Sequence, residues 1–222
     1  MEGLRLEEHD RRTAHQIVKD TLRRAILDGS LGGGTRLVQA DVATQLRVST
    51  TPVREALRDL ATEGLVRLDA HRGAVVHEVT PEELAELYDL RRILEPEAVR
   101  RAAQNLTDEQ LAELEALQRR MDDETDVIRW IGMNRTFHWA IADAAGSKRL
   151  ADTLHRLEDE AALYVGVSLR RQQARLGSGN DQHHRLVDAL RRRDGDAAAE
   201  VMLDHLAHTQ ALADSGLSKD DG

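Results

Sequence analysis

Cysteine is absent from this sequence, which excludes disulfides, a thiolate metal site and a cysteine nucleophile. Any bound metal must then be held by imidazole, carboxylate or amide groups, so the ten histidines are worth sorting. Aromatic residues make up only 2% of the chain, and beyond residue 80 there are almost no β-branched runs, so no sheet is expected there. Long apolar runs are missing too. Nothing approaches the ~18 apolar residues of a membrane-spanning helix, and the opening MEGLRLEEHDRR lacks the apolar centre of a signal peptide. A cytoplasmic protein with no membrane partner is expected. With 222 residues, 41% of them hydrophobic, the chain can build one or two domains around a real core.

Positive charge is scarce overall but not evenly so. The net charge is −9, yet residues 11–77 carry 11 Lys and Arg against 7 Asp and Glu, whereas residues 80–222 carry 19 against 28. The cationic excess is confined to the N-terminal third. Phosphate contacts are local and salt-screened, so an acidic remainder does not forbid them; it argues against nucleic acid running over the rest of the chain.

Within that third, DVATQLRVSTTPVREALRDLATEGLV, Asp41 to Val66, carries two helical patterns. Val42, Ala43 and Leu46 mark one face of a short helix, while Val53, Ala56, Leu57, Leu60 and Ala61 recur at the spacing of a second. Thr51 before Pro52 predicts the start of the second helix, with Thr as cap and Pro at the first helical position; Gly64 predicts its stop. The turn-side end presents Ser49, Thr50, Thr51 and Arg54, hydroxyls and one guanidinium that suit a phosphate backbone and a groove floor. Two β-prone runs, Val66-Arg67-Leu68 and Ala74-Val75-Val76, predict a hairpin whose basic tip, with Arg72 and Gly73, would lie along DNA. The plainer alternative is that His71 and Arg72 are solvated hairpin residues.

VSTTPVREALRDLATEGLV followed by HRGAVV resembles the signature of the GntR family of bacterial transcription regulators. The resemblance implies a winged helix-turn-helix bound to double-stranded DNA. Thr50 stands where the family usually has an arginine that reads guanine, so a neutral hydroxyl there alters the expected operator preference. One recognition helix reads only a few base pairs; a homodimer on a short inverted repeat supplies usable specificity.

The expected organisation is mainly α. Residues 1–10 form a flexible arm, 11–77 a winged helix-turn-helix with a small β-hairpin wing, 78–80 a linker, 81–213 an all-α antiparallel helical bundle, and 214–222 a disordered tail. The first helix runs from Thr13 to Asp28, and Gly32-Gly33-Gly34 is a turn. Thr80-Pro81-Glu82-Glu83 and Thr107-Asp108-Glu109-Gln110 are capping boxes that open helices, and Pro96 predicts a kink in the first of these. Further helices are expected at about 126–145, 148–171, 180–193 and 196–213, with Gly146, Gly177-Ser178-Gly179 and Gly195 between them. YDLRRILEPEAVRRAA, NRTFHWAIADAAG and HHRLVDALRRRDGDAAAEVMLDHL resemble stretches of the FCD ligand-binding domain of the FadR subfamily, and six helices fit its shorter, VanR-like branch.

Helical spacing turns His138, His183 and His205 inward on three helices. Three buried imidazoles are costly unless each finds a partner, and one divalent metal would supply it; a lone inward histidine is otherwise a hydrogen-bonded core residue. The FCD resemblance implies a metal held by an aspartate, a histidine four residues on and two later histidines. Asn134 takes the aspartate's place here, with His138, His183 and His205 as the imidazoles, or His208, one turn on, in place of His205, and the expected ion is zinc, with nickel, manganese or iron as others. An all-neutral ligand set favours an anionic effector, and Arg91, on the inward stripe of its helix, would grip a small carboxylate, unless it simply pairs with Glu95. The expectation is a non-enzymatic regulator, a repressor by family habit, sensing metal and a small organic acid. The rivals are a sensor of metal alone, a metal-dependent hydrolytic enzyme, and a bundle that is purely structural.

Overall fold

A computed structural model describes residues 13–69, 73–78, 80–171 and 176–217, with side chains described for all of these except 167–171, 176–178 and 216–217. The expected arm (1–10), Arg72 and the last five residues of the expected tail lie outside the described residues.

The N-terminal unit opens with α1 (Ala14–Leu27), whose Thr13 and Gln16 form a reciprocal capping box and whose Val18, Leu22 and Ile26 fall on one buried face. There follow β1 (Arg36–Leu37), α2 (Gln39–Leu46), α3 (Thr50–Thr62), β2 (Val66–Asp69) and β3 (Gly73–Val76). The helix α3 begins one residue before the expected cap. Its cap is Ser49, which makes no side-chain cap bond, so Thr51 lies inside the helix and Pro52 is its third residue. Proline is tolerated there because the first four helical N–H groups have no intrahelical partner. Gly64, at φ +72, ends the helix as expected.

The wing is wider than a hairpin. β3 lies between β2 and β1 in an antiparallel sheet of order β1-β3-β2, with Asp69 opposite Gly73 and Leu37 opposite Ala74. Gly73 has φ +120, and a Cβ there would fall 2.0 Å from the Leu37 carbonyl oxygen. No other residue type fits where β1 crosses so closely.

The second unit contains six helices among the described residues: α4 (Pro81–Asn105), α5 (Asp108–Asp122), α6 (Val127–Ala144), α7 (Lys148–Arg171), α8 (Leu176–Arg191) and α9 (Gly195–Leu217). α4 packs chiefly on α9, α6 on α7, and α8 on α5 and α9. Pro96 sits inside an uninterrupted α4. Thr80 caps α4 by accepting from the Glu83 N–H, but only half of the expected box forms, because the Glu83 carboxylate instead meets His77 at 3.0 Å. Thr107 and Gln110 make the full box. Gly177-Ser178-Gly179 does not separate helices, since α8 begins at Leu176, and α9 runs past the expected limit of 213 to Leu217. Among the described residues no helix is long and apolar enough to cross a membrane.

α7 reaches both units. A Cβ on Gly166 would lie 3.3 Å from the Leu27 carbonyl oxygen, and one on Gly64 would lie 2.7 Å from Glu160 Cγ. Arg24 of α1 also pairs with Asp126, the cap of α6, at 2.9 Å.

Candidate functional site

The turn between α2 and α3 is a surface of free donors. Ser49, Thr50, Thr51 and Arg54 are all exposed, and the helix behind them is pinned by Val53, Ala56, Leu57 and Leu60, each completely buried. Arg47, in the left-handed conformation at φ 55, and Arg58, one turn beyond Arg54, are exposed beside them. Sequence reasoning passed over both; the i, i+4 spacing of Arg54 and Arg58 was the available signal. Gly73 is buried, so its part is to let the wing close on β1 rather than to meet DNA.

The helical unit does the opposite: it buries its polar groups. His138 of α6, His183 of α8 and His205 of α9 converge, with ring centroids 5.3 Å (138–183), 5.1 Å (138–205) and 4.8 Å (183–205) apart. All three are buried, and one ligand nitrogen from each lies within 4.8 Å of the others. Phe137 stacks on His183 at 4.6 Å and Trp130 lies beyond it at 6.3 Å, so two of the chain's few aromatics wall the cluster. His184, turned off this stripe, is exposed and pairs with Asp122.

Burial leaves these rings neutral. Desolvation is the main cause: it takes His138 down to about 4 against the opposing pull of Glu95, with Arg91 lowering it further. His183 and His205 are likewise held well below the usual histidine range by burial first and by the neighbouring histidines next. Nδ1 of His205 meets Gln182 Oε1 at 3.1 Å. A carboxamide oxygen only accepts, so Nδ1 carries the proton and Nε2 keeps a lone pair for the cluster.

Both ring nitrogens of His138 and of His183 are buried without a hydrogen-bond partner, as are Asn134 Oδ1 and Glu95 Oε2. Each such group costs about 1–3 kcal/mol, so the set is poorly explained as inert core and well explained as a donor set. Asn134 is half-buried and lines, with His205 and Arg91, a cavity of about 10 Å³. A second, also of about 10 Å³, lies between His138, Glu95 and Glu158. Each is the size of one water or one ion. These residues fit a divalent metal.

Arg91 lies where the sequence placed it, buried, but its guanidinium is already occupied. It donates to Glu95 at 2.5 Å and to Glu158 at 2.7 Å, and lies 4.9 Å from the centre of the Tyr88 ring. Glu158 Oε1 is 3.7 Å from His138 Nδ1, so Glu95, His138 and Glu158 make a second possible metal cluster sharing one histidine. With both carboxylates ionised the site carries one negative charge in excess of the guanidinium, and protonation of Glu95 removes it. Burial, aided by the charge of Glu158, pushes the Glu95 carboxyl up to about 7 despite Arg91. The neutral ligand set of Asn134 and three imidazoles was expected to favour an anionic effector; the carboxylates of Glu95 and Glu158 beside His138 supply negative charge of their own and weaken that reason. Glu158 was missed, although a charge at helical spacing among Ala151, Leu154, Ala161 and Ala162 was a legible signal.

Comparison with known proteins agrees with both halves of this geometry. Residues 14–76 match bacterial regulatory proteins of the gntR family, and residues 86–208 match the FCD domain. The chain belongs to the GntR family. Among its relatives this GntR protein is 30% identical over 202 residues to the HTH-type transcriptional regulator McbR of Escherichia coli, covering 86% of the chain and 90% of McbR. It is 30% identical over 195 residues to the HTH-type transcriptional repressor GlaR of the same organism, covering 83% and 89%. The solved structure of E. coli McbR/YncC superposes with a TM-score of 0.77 at 27% identity, covering 92% of this chain and 99% of that one. The protein is a DNA-binding transcription regulator and not an enzyme, which removes the hydrolytic rival.

Proposed function

We propose that this GntR protein is a cytoplasmic repressor that binds a short inverted repeat as a homodimer and whose operator affinity is set by a divalent metal, zinc foremost, at His138, His183 and His205. The observation that carries the reading is the set of four buried ring nitrogens on His138 and His183 with no partner. A bound divalent ion would take one lone pair from each imidazole, and its two positive charges would offset the neighbouring carboxylates. Asn134 Oδ1 or the Glu158 carboxylate completes the donor set. The helices α6, α8 and α9 carry the three histidines, and α7 carries Glu158 and touches the DNA-binding unit. A change in their spacing therefore reaches α1 and α3, and differential affinity of the ion for the two arrangements moves the DNA equilibrium. Repression and dimerisation draw support from the GlaR likeness and from Ile93 (69% exposed) and Leu203 (40% exposed), apolar side chains left uncovered on the packed pair α4 and α9.

A second reading adds a small organic acid at Arg91. It is favoured by Arg91, which lines one small cavity and donates to Glu95 and Glu158, which line the other, so that an acid could replace Glu158 on the guanidinium. The cavities as they stand have room for an ion and none for an organic acid, so metal alone is the first signal to test.

The test is elemental analysis of untagged protein beside His138→Ala, Glu158→Gln and Asn134→Ala, with operator affinity measured with and without zinc. Metal close to stoichiometric in the wild type, lost in His138→Ala together with the metal effect on DNA, is the expected result. Loss in Glu158→Gln with retention in Asn134→Ala assigns the fourth donor to α7. Operator binding that responds only when citrate or a similar acid accompanies the metal favours the second reading. A wild type purified and reconstituted without metal uptake ends both.

A further inference from the structure

A cavity far larger than those at the histidines lies between the two units. It holds about 370 Å³, within the range of small-molecule sites and far beyond the needs of one ion. One wall is the end of α3 and the start of the wing, with Ala61, Gly64 and Val66; the other is α4 and α7. Its floor is apolar: Leu87, Leu157 and Leu163 are buried there. Its rim is acidic, with Glu83, Glu86 and Glu160 against Arg67 and His77.

Two polar groups in this cavity lack partners. Tyr164 is only 4% exposed, yet its hydroxyl makes no hydrogen bond among the described residues and lies within electrostatic reach of Glu83 and Glu160. Glu160, exposed at the rim, makes no hydrogen bond or ion pair among them, although His77 and Arg156 lie within electrostatic reach, whereas Glu83 is engaged by His77 at 3.0 Å. Neither group has to give up a protein hydrogen bond to meet a ligand with a polar head that enters the cavity.

We propose that this interdomain cavity is a binding site for a small organic cation with an apolar body, an amine whose ammonium meets Glu160 and the Tyr164 hydroxyl while its hydrocarbon part lies on Leu87, Leu157 and Leu163. The site is separate from the histidine cluster and does not rest on the metal reading. Its occupant touches the end of the recognition helix directly. Gly64 and Glu160 already meet across the seam, so filling the cavity fixes the angle between α3 and α7 and changes operator affinity by favouring one orientation of the DNA-binding unit.

The test uses the full chain, titrated with phenethylamine and hexylamine, and with phenylacetate as a probe of similar shape and opposite charge. Melting temperature and operator affinity are read together. Either amine raises the melting temperature saturably, and phenylacetate does not. Glu160→Gln, which keeps shape and removes charge, weakens amine binding roughly tenfold; Tyr164→Phe weakens it less. His138→Ala binds the amine like the wild type, so failure of the metal reading leaves this result intact. Equal binding of amine and phenylacetate, amine binding untouched by Glu160→Gln, or no binding of either amine by the dimer, as when a second copy covers the cavity, overturns the proposal.

Discussion

The two halves of the molecule place their working groups in opposite media. In the DNA-binding unit the described buried residues are apolar, and the hydroxyls and guanidinium groups of Thr50, Thr51, Arg54 and Arg58 stand in water. In the helical unit Arg91, Glu95, His138, Glu158, His183 and His205 are all buried. Groups that meet a large polyanion must be reachable and cost little to keep hydrated. Groups that hold an ion must be taken out of water, and the fold has to compensate each one. Substitutions should therefore damage binding alone in the first half, and stability together with binding in the second.

The largest effect is expected at Arg91. Arg91→Ala strands Glu95 and Glu158 as two buried carboxylates around a lost cation, and should lower unfolding stability by about 3–5 kcal/mol, measurable by urea denaturation near neutral pH. A smaller loss would mean that water or a metal already supports the carboxylates. Next is the acid sensitivity of metal-free protein. His138 has its folded pKa lowered from 6.5 to about 4, so the unfolded chain binds the extra proton between those values. Its contribution is fully present above pH 6.5 and is lost as pH falls toward 4, a change on the order of 3 kcal/mol. Burial shifts His183 and His205 the same way, and Glu95, raised to about 7, partly opposes them. Urea midpoints across this range should show stability falling with acid, and the fall should be shallower in His138→Ala.

In the DNA-binding unit the same measurements should barely move. Arg54→Ala is expected to weaken operator binding roughly tenfold and reduce the salt slope by about one, with unfolding unchanged within about 0.5 kcal/mol. Thr50→Arg should alter base preference rather than overall affinity. The smallest effect is a contrast of caps. Thr107→Ala, which loses a full capping box, should cost about 1 kcal/mol, whereas Ser49→Ala should leave stability almost unchanged because Ser49 makes no cap bond. A large cost at Ser49 would show that its hydroxyl serves the fold and is not free for phosphate.

Local rules made the DNA-binding unit legible. The period of Val53, Ala56, Leu57 and Leu60, the stop at Gly64 and the pairing of Asp69 with Gly73 each involve neighbours along the chain. β1 escaped notice because two residues carry no period, and Glu83 left its capping box for His77 because a partner outside the helix was available. In the helical unit, periodicity turned His138, His183, His205 and Arg91 inward, and burial of all four bears that out.

By itself, then, the sequence determined the order of helices, the winged motif and which side chains leave water, because backbone propensity and hydrophobic period act over a few residues. Only the tertiary structure decided what those side chains meet. Glu158 is 67 residues from Arg91 along the chain and 2.7 Å from it in space. The charge of the site, the size of its cavities and the larger space at the domain seam depend on how α4, α6, α7 and α9 cross. Such crossings are set by packing between distant segments, and no spacing within one segment encodes them.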